Sequence, residues 1–205
     1  MDVSFFFKGL VVGFLVATPV GPIGLLCIQR TLSEGKITGL VSGLGAATAD
    51  AIFGLIAALG LTFILNFLVE EQLWLRLFGG LFLFYVGIKT FLSKPVERTS
   101  STSTSSHISN YGSTFLLAFT NPITIIVFVA VFASLGVVSS GTHYFSVGLS
   151  VAGVFIGSAL WWLILCGAAG ILSEKISHSR LTWLNRISGI VIAIFGLVVL
   201  LLLIP

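Results

Sequence analysis

Six apolar tracts, each at least as long as a membrane-spanning helix, take up almost the whole of this 205-residue chain. A helix that crosses a bilayer needs about 20 predominantly apolar residues. Charged residues make up only 8% of the sequence, against about 25% in soluble domains. We therefore predict an all-α membrane protein with six transmembrane helices. The tracts are Phe5–Ile28, Ile37–Leu68, Leu73–Leu92, Thr114–Val138, Tyr144–Leu172 and Leu181–Ile204.

This composition excludes several classes of function. Outside the six tracts almost no chain remains to form a soluble domain, so we expect neither an enzyme nor a nucleic-acid-binding protein. We also predict no cofactor. The first tract is longer than the apolar core of a signal peptide and has no clear cleavage site after it, so we interpret it as a spanning helix.

Two of the tracts are interrupted by proline in a similar way. Proline lacks a backbone N–H and clashes with the carbonyl four residues earlier, and lipid cannot satisfy the polar groups that are left. Membrane proteins tolerate such backbone where it lines a cavity, and matching breaks in the two halves of a chain indicate a transporter's central binding site. We predict that the substrate binds at Thr18, Pro19, Gly21 and Pro22 of the first break and at Asn121 and Pro122 of the second.

The first break has a polarity that suits an anion. The helix that restarts near Pro22 should present unpaired N–H groups and the positive end of its dipole, which attract a group such as an α-carboxylate. Asn121 could add side-chain donors and an acceptor from the opposite side. The alternative is that each break is only a packing kink.

Asp50 is the only acidic residue well inside a predicted span. It follows Ile37 by about a dozen residues, roughly 18–20 Å along the helix axis, and should therefore lie near the membrane midplane. A carboxylate at that depth costs at least ~2.5 kcal/mol on insertion scales. We predict that Asp50 binds substrate and couples transport to protons, as a proton carrier or as the counter-charge of an ammonium group; it could also be a cation ligand. The alternative is a structural carboxyl group bonded to Thr48 or to a neighbouring helix.

A run of serine and threonine, Thr99–Ser106, separates the first three tracts from the last three. We predict a three-helix repeat at 1–98, a cytoplasmic Ser/Thr-rich linker at 99–113 and a second three-helix repeat at 114–205. Because three is an odd number, two such units in series have opposite orientations, as in the inverted repeats of secondary transporters. Residues that recur are Trp74-Leu75, Gly80 and Gly87 as Trp183-Leu184, Gly189 and Gly196, and Gly43, Thr48-Ala49 and Gly60 as Gly153, Ser158-Ala159 and Gly170.

Lysine and arginine concentrate in the first, third and fifth connections between the tracts. By the positive-inside rule these connections are cytoplasmic, so we predict that both termini are extracytoplasmic. The second connection has Arg76 beside two glutamates, and the fourth has no lysine or arginine. The basic residues of the odd-numbered connections are Arg30, Lys36, Lys89, Lys94, Arg98, Lys175, Arg180 and Arg186.

The cysteines and histidines give little sign of further chemistry. Cys27 and Cys166 lie in apolar tracts, where cysteine usually serves as a small hydrophobic residue. A membrane thiol-redox carrier is the alternative, although Cys166 falls in the fifth tract and known carriers of this kind pair cysteines of the first and fourth helices. No histidine has a carboxylate at metal-ligand spacing, so we predict no metal site.

Three sequence elements, taken in order, resemble the LysE-type (LysE/RhtB) family of amino-acid exporters. In that family a Pro-Gly-Pro-like element ends the first half-helix, an aspartate follows a Gly/Ala-rich run in the second helix, and an Asn-Pro pair opens the fourth. Val20 is a departure from the pattern, since it separates Pro19 from Gly21. The matching elements are Thr18–Pro22, Gly43–Asp50 and Phe115–Pro122, and the resemblance covers essentially the whole chain.

The resemblance implies efflux of amino acids or similar small metabolites across the inner (cytoplasmic) membrane, driven by the proton gradient. Related branches are associated with divalent-cation export, so an exporter that uses Asp50 as a cation ligand is the first alternative. One buried carboxylate supplies few of the ligands that a divalent ion needs. We expect a small-molecule substrate and the lipid bilayer as partners, and a homodimer is compatible with the sequence.

Overall fold

The chain is helical throughout the part that the structure describes. A computed structural model describes residues 3–19, 21–59, 71–92, 104–121, 124, 127–128, 144–173 and 178–201. Within these ranges there are seven α-helices and no strand, which confirms the all-α prediction for them. The helices are α1 (Ser4–Ala17), α2 (Pro22–Glu34), α3 (Lys36–Ala58), α4 (Gln72–Leu92), α5 (Thr104–Phe119), α6 (Tyr144–Ser173) and α7 (His178–Leu201).

Four of these helices are long and apolar enough to cross a membrane. They contain the candidate spans Lys36–Ala58, Leu73–Leu92, Tyr144–Ile171 and Thr182–Leu201, and α1 and α2, which meet at an angle of 82°, are together apolar enough for one broken span or a re-entrant loop. The predicted fourth tract, Thr114–Val138, lies largely outside the described residues. These helices are consistent with a multi-pass membrane protein, while the count of six spans stays a prediction.

The helices turn large apolar side chains outward and small residues toward one another. Phe7, Phe78 and Leu163 are all more than half exposed, as expected of surfaces that face lipid. The inner face of α3 is built from alanine and glycine, among them Ala47 and Ala49, which have no exposed surface. Helices in lipid associate through close van der Waals packing rather than the hydrophobic effect, and small residues allow that approach.

Glycines also mediate the contact between α4 and α7. These helices run antiparallel, with Gly80 against Gly196 and Gly87 against Gly189. A Cβ at Gly87 or Gly189 would overlap backbone of the facing helix, so the two backbones nearly touch. The four residues are those that recur between the two halves of the sequence.

Two further helix pairs run parallel. Along α1 and α6, Gly9 lies against the carbonyl of Ser150 and Gly157 lies against the carbonyl of Leu10. Along α3 and α5, Gly45 lies against Tyr111. The helices α3 and α6 cross antiparallel and so join the two pairs. A short helix therefore lies beside each of these two long central helices: α1 beside α6, and α5 beside α3.

The bundle therefore has two distinct ends. We call one end the turn side, since a single residue, Gly35, joins α2 to α3 there with φ of +105°, a conformation that favours glycine. The helices α4 and α6 end on the turn side, where Lys36 covers Gly170 and Phe91 lies against Gly189. The opposite end, where α1 and α6 begin and α3 and α7 end, is the far side.

The helix bounds bear on two predictions about connections. The segment predicted as a linker is helical from Thr104 onward, and its residues 99–103 lie outside the described ranges. Arg30 does not lie in a connection but inside α2, where it is 8% exposed. The prediction for Arg30 was wrong because a polar residue was read as loop, whereas buried hydrogen-bond partners can keep it in a helix.

Gly157 and Gly167 of α6 provide a matched test of the close packing. A methyl group on Gly157 would overlap the carbonyl oxygen of Leu10, whereas nothing lies within 4 Å of one on Gly167. We expect Gly157→Ala to destabilise the protein by about 1–3 kcal/mol through overpacking. Gly167→Ala should be neutral or stabilising by up to ~1 kcal/mol, because alanine favours helix. Chemical unfolding in detergent measures both, and equal effects would contradict the packing described here.

Candidate functional site

The first break ends α1 with a compact set of hydrogen bonds. The Thr18 hydroxyl donates to the carbonyl of Phe14 at 2.8 Å, and the Thr18 N–H donates to the carbonyl of Leu15 at 3.3 Å. In an unbroken helix the Leu15 carbonyl would accept from the N–H of residue 19, but Pro19 has no N–H to donate. Gly21 then donates its N–H to the carbonyl of Pro19 at 2.9 Å, so the break satisfies much of its own backbone.

The helix that follows opens toward a cavity. Pro22 is the first residue of α2, and the N-cap residue, Gly21, has no side chain that could accept from the first N–H groups of the helix. The N–H groups of Ile23 and Gly24 fall in the first turn, where a helix offers no intrahelical acceptor. Both residues line a cavity of about 330 Å³. The positive end of the α2 dipole is therefore next to an open space.

The second break is built like the first. The Thr120 hydroxyl donates to the carbonyl of Leu116 at 2.7 Å, as the Thr18 hydroxyl does at the end of α1. The N–H of Asn121 donates to the carbonyl of Ala118 at 3.2 Å. Pro122 lies outside the described residues. Because α1 arrives from the far side and α5 from the turn side, the two breaks approach the cavity from opposite ends.

The cavity gathers most of the predicted site. Five of the seven predicted residues line it, whereas Thr18 is half-buried at the end of α1 beside it. The rest of its wall is mainly aliphatic and aromatic, with side chains such as Val16, Leu117 and Phe195. The five residues are Pro19, Gly21, Pro22, Asp50 and Asn121.

Asp50 is held at the cavity wall by α6. Its carboxylate is 5% exposed and accepts a hydrogen bond from the Ser158 hydroxyl at 2.7 Å. Ser158 in turn accepts from the Trp162 indole N–H at 3.1 Å. The structural alternative named Thr48 or a neighbouring helix; the partner of Asp50 lies on a neighbouring helix, and Thr48 accepts from the Tyr111 hydroxyl at 2.7 Å. Sequence reasoning missed Ser158 as a partner, although it had paired Ser158 with Thr48 in the repeat.

Arg76 is a second charged residue of the cavity, and sequence reasoning also missed it. We predicted that Arg76 lies in the connection beside two glutamates; the structure places it one turn inside α4, half-buried and lining the cavity. The contact of Gly79 with Thr120 puts this part of α4 at the level of the second break. Among the described lining residues, the cavity thus carries one acidic side chain, Asp50, and one basic side chain, Arg76.

Comparison with known proteins agrees with this architecture. The family model described as LysE type translocator matches residues 14–202, which include both breaks and Asp50. The chain belongs to this family.

Two relatives are similar over nearly their whole length. The "Putative amino acid efflux protein YcgF" of Bacillus subtilis (strain 168) is 27% identical over 197 residues, covering 94% of this chain and 93% of the relative. The "Uncharacterized membrane protein YahN" of Escherichia coli (strain K12) is 24% identical over 199 residues, covering 92% and 86%. No solved structure matches the chain. The protein is therefore a multi-pass membrane transporter of small molecules.

The translocator also brings its two cysteines together, which the sequence did not predict. Cys27 of α2 and Cys166 of α6 have no exposed surface, and both belong to the same buried cluster of side chains. Neither lines the cavity. In the part of the chain that the structure describes, no group of three or more His, Cys, Asp or Glu side chains could hold a metal ion.

Proposed function

We propose that this LysE type translocator exports amino acids or related small metabolites across the cytoplasmic membrane by proton antiport. The observation that carries the proposal is a single cavity that joins both helix breaks to Asp50. A relative of similar length bears the name of an amino acid efflux protein. The substrate would bind at the breaks, near the membrane midplane.

The carboxylate of an amino acid would bind where positive charge is available. The first turn of α2 offers the N–H groups of Ile23 and Gly24 and the positive end of the helix dipole. Arg76 lines the same cavity, and its guanidinium has five N–H donors that can serve several acceptors at once. A zwitterion would thus meet complementary charge at its carboxylate end.

The ammonium group and the coupling proton would compete for Asp50. Its carboxylate is buried and bonded by one neutral hydroxyl, Ser158, so it has no described counter-charge in direct contact. A buried carboxylate of this kind gains from either a proton or a cation. Mutually exclusive binding of the two at one carboxylate is sufficient for antiport.

Alternating access would come from rocking of two inverted three-helix repeats. The helix contacts support this arrangement, because α1 lies parallel to α6 as α5 lies parallel to α3. The antiparallel pair of α4 and α7 meets through Gly80, Gly87, Gly189 and Gly196, which would be exchanged by a two-fold axis. Both termini would be extracytoplasmic, and a homodimer is compatible with the exposed apolar faces.

Divalent-cation export is the less favoured alternative. Asp50 alone supplies too few oxygen ligands for a divalent ion, and Arg76 adds a positive charge to the same cavity. Both features disfavour a cation and favour a substrate that carries a carboxylate.

Asp50→Asn tests the coupling. This nearly isosteric change removes the charge and leaves an acceptor for Ser158, so the protein should fold but lose uphill export of labelled amino acids from proteoliposomes with a pH gradient. Glu71→Gln, at the start of α4 and outside the cavity wall, is the matched control and should export normally. Uphill export at the wild-type rate by Asp50→Asn would remove Asp50 from the mechanism.

Arg76→Gln tests carboxylate binding. A hydrogen bond to a charged group contributes about 1.5–3 kcal/mol, so we expect KM for an amino acid to rise roughly 10-fold or more, with a smaller change in kcat. Binding of the corresponding amine, which lacks the carboxylate, should not change. Arg186→Gln, at an exposed position of α7, is the control. An equal loss for the acid and the amine would contradict the assignment.

A thiol-redox carrier is the second alternative, and the burial of Cys27 and Cys166 in one cluster is the observation that favours it. Replacing both cysteines with alanine decides between the two functions. We expect export to persist in the double variant, because neither thiol lines the cavity. Loss of all activity by a correctly folded double variant would instead favour the thiol relay.

A further inference from the structure

On the turn side of the cavity, α2 buries a run of polar side chains. Gln29, Arg30, Thr31 and Ser33 are each less than 9% exposed. Burying such groups is costly unless they are hydrogen-bonded. In a helix that lies directly beneath a binding cavity, so many buried polar groups call for a role other than packing.

Arg30 bonds α2 to two neighbouring helices. Its Nη1 lies 2.9 Å from the Ser42 hydroxyl of α3, 2.9 Å from the Asn110 carbonyl oxygen and 2.9 Å from the Thr114 hydroxyl. Its Nη2 donates to the Ser113 hydroxyl at 2.8 Å. Three of the four acceptors belong to α5, which lies in the other half of the chain.

Two further hydrogen bonds join α2 to the second half. The Asn110 side-chain amide donates to the Glu34 carboxylate at 3.1 Å. On the other side of α2, the Gln29 amide donates to the Asn185 side-chain oxygen of α7 at 3.1 Å. We call the group formed by Gln29, Arg30 and Glu34 with these partners the α2 latch.

The latch lies on one side of the cavity only. Arg30 follows Pro22 by eight residues, about 12 Å along the helix toward the turn side. The cavity walls contributed by Arg76 and Val199 lie in the opposite direction, at the far-side ends of α4 and α7. The latch therefore lies between the cavity and the turn side, and it bonds α2 to α5 and α7 there.

The chemistry of the latch suits a contact that opens and closes. All four acceptors of Arg30 are neutral, so the buried guanidinium keeps part of its desolvation cost. Entry of water on the turn side would restore hydration to the charge while breaking the bonds. Closed and open arrangements are then closer in free energy than they would be for a sealed apolar contact.

We propose that the α2 latch is the turn-side gate of the translocator and that Arg30 is its central positioning residue. In this structure the gate is closed. Transport through the cavity requires the bonds between α2 and α5 to break and re-form once in each cycle. Arg30 acts by holding helices together and does not contact the substrate.

The test measures access to the cavity from each side of the membrane. A reporter thiol, Ala46→Cys, is placed on the cavity wall in a chain whose two native cysteines are alanine, and the protein is reconstituted in vesicles. A membrane-impermeant maleimide is added on the inside or on the outside. The variants are Arg30→Ala, Arg30→Lys and, as a matched control at an exposed arginine of the same membrane protein, Arg186→Ala.

We expect Arg30→Ala to speed labelling from the turn side about tenfold or more, since several hydrogen bonds are lost, without speeding labelling from the far side. The turn-side labelling rate of Arg30→Lys should lie between the rates of Arg30→Ala and the parent. Arg186→Ala should be labelled at the rate of the parent. Unchanged labelling would overturn the proposal. So would faster labelling from both sides with a lower Tm, which indicates general loosening.

A second set of variants and the absence of substrate from the assay keep the test decisive. If Arg30→Ala does not fold, the pair Ser113→Ala and Thr114→Val removes acceptors on α5 and should produce the same one-sided increase on a smaller scale; no increase in that pair would count against the gate. The labelling needs no substrate, so its outcome is independent of whether amino acids are exported. Failure of the gate and failure of the proposed function are thus separate results.

Discussion

Every feature of this molecule depends on one constraint: backbone N–H and C=O groups inside a membrane must find partners within the protein. Unbroken helices meet it automatically, but α1 ends at Ala17 before α2 begins at Pro22, and α5 ends at Phe119. Each break therefore begins with a threonine, Thr18 or Thr120, whose hydroxyl bonds the carbonyl of the preceding turn. The first turn of α2 faces a cavity, one of the two kinds of place, with the protein interior, where such backbone is tolerated at membrane depth. The constraint thus couples the location of the breaks to the location of the cavity.

The same constraint explains how polar groups are distributed. Glycine contacts such as Gly87 with Gly189 bring backbones close without any polar side chain. Buried polar side chains are accordingly concentrated at two levels, around Asp50 at the cavity and around Arg30 on the turn side. Between the two levels, α2 is lined by Leu26 and Cys27, which are fully buried and pack on neighbouring helices. One short half-helix therefore connects the binding cavity to the proposed gate.

Features that depend on a single stretch of sequence could be predicted, and those that depend on a partner could not. The helical class, the first break and Asp50 follow from local hydropathy and from proline chemistry. The positions and contacts of Ser158, Arg76 and Arg30 did not follow from them, because a hydropathy value records how polar a side chain is and not which atoms it contacts. Arg30 follows an apolar tract and so resembles a loop residue, yet four oxygens from α3 and α5 hold it inside the protein. The burial of Cys27 and Cys166 in one cluster likewise depends on how α2 docks against α6.

The charges of the cavity restrict what the proposed site can hold. A carboxylate at the depth of Asp50 costs at least ~2.5 kcal/mol by insertion scales, and Arg76 adds a positive charge to the same cavity. A zwitterion would place its ammonium group near Asp50 and its carboxylate near Arg76 and the first turn of α2. The remaining wall is mainly apolar, with Asn121 and Thr124 among its few polar side chains. Discrimination among amino acids in a site of this kind would therefore depend on side-chain volume within about 330 Å³ more than on side-chain polarity.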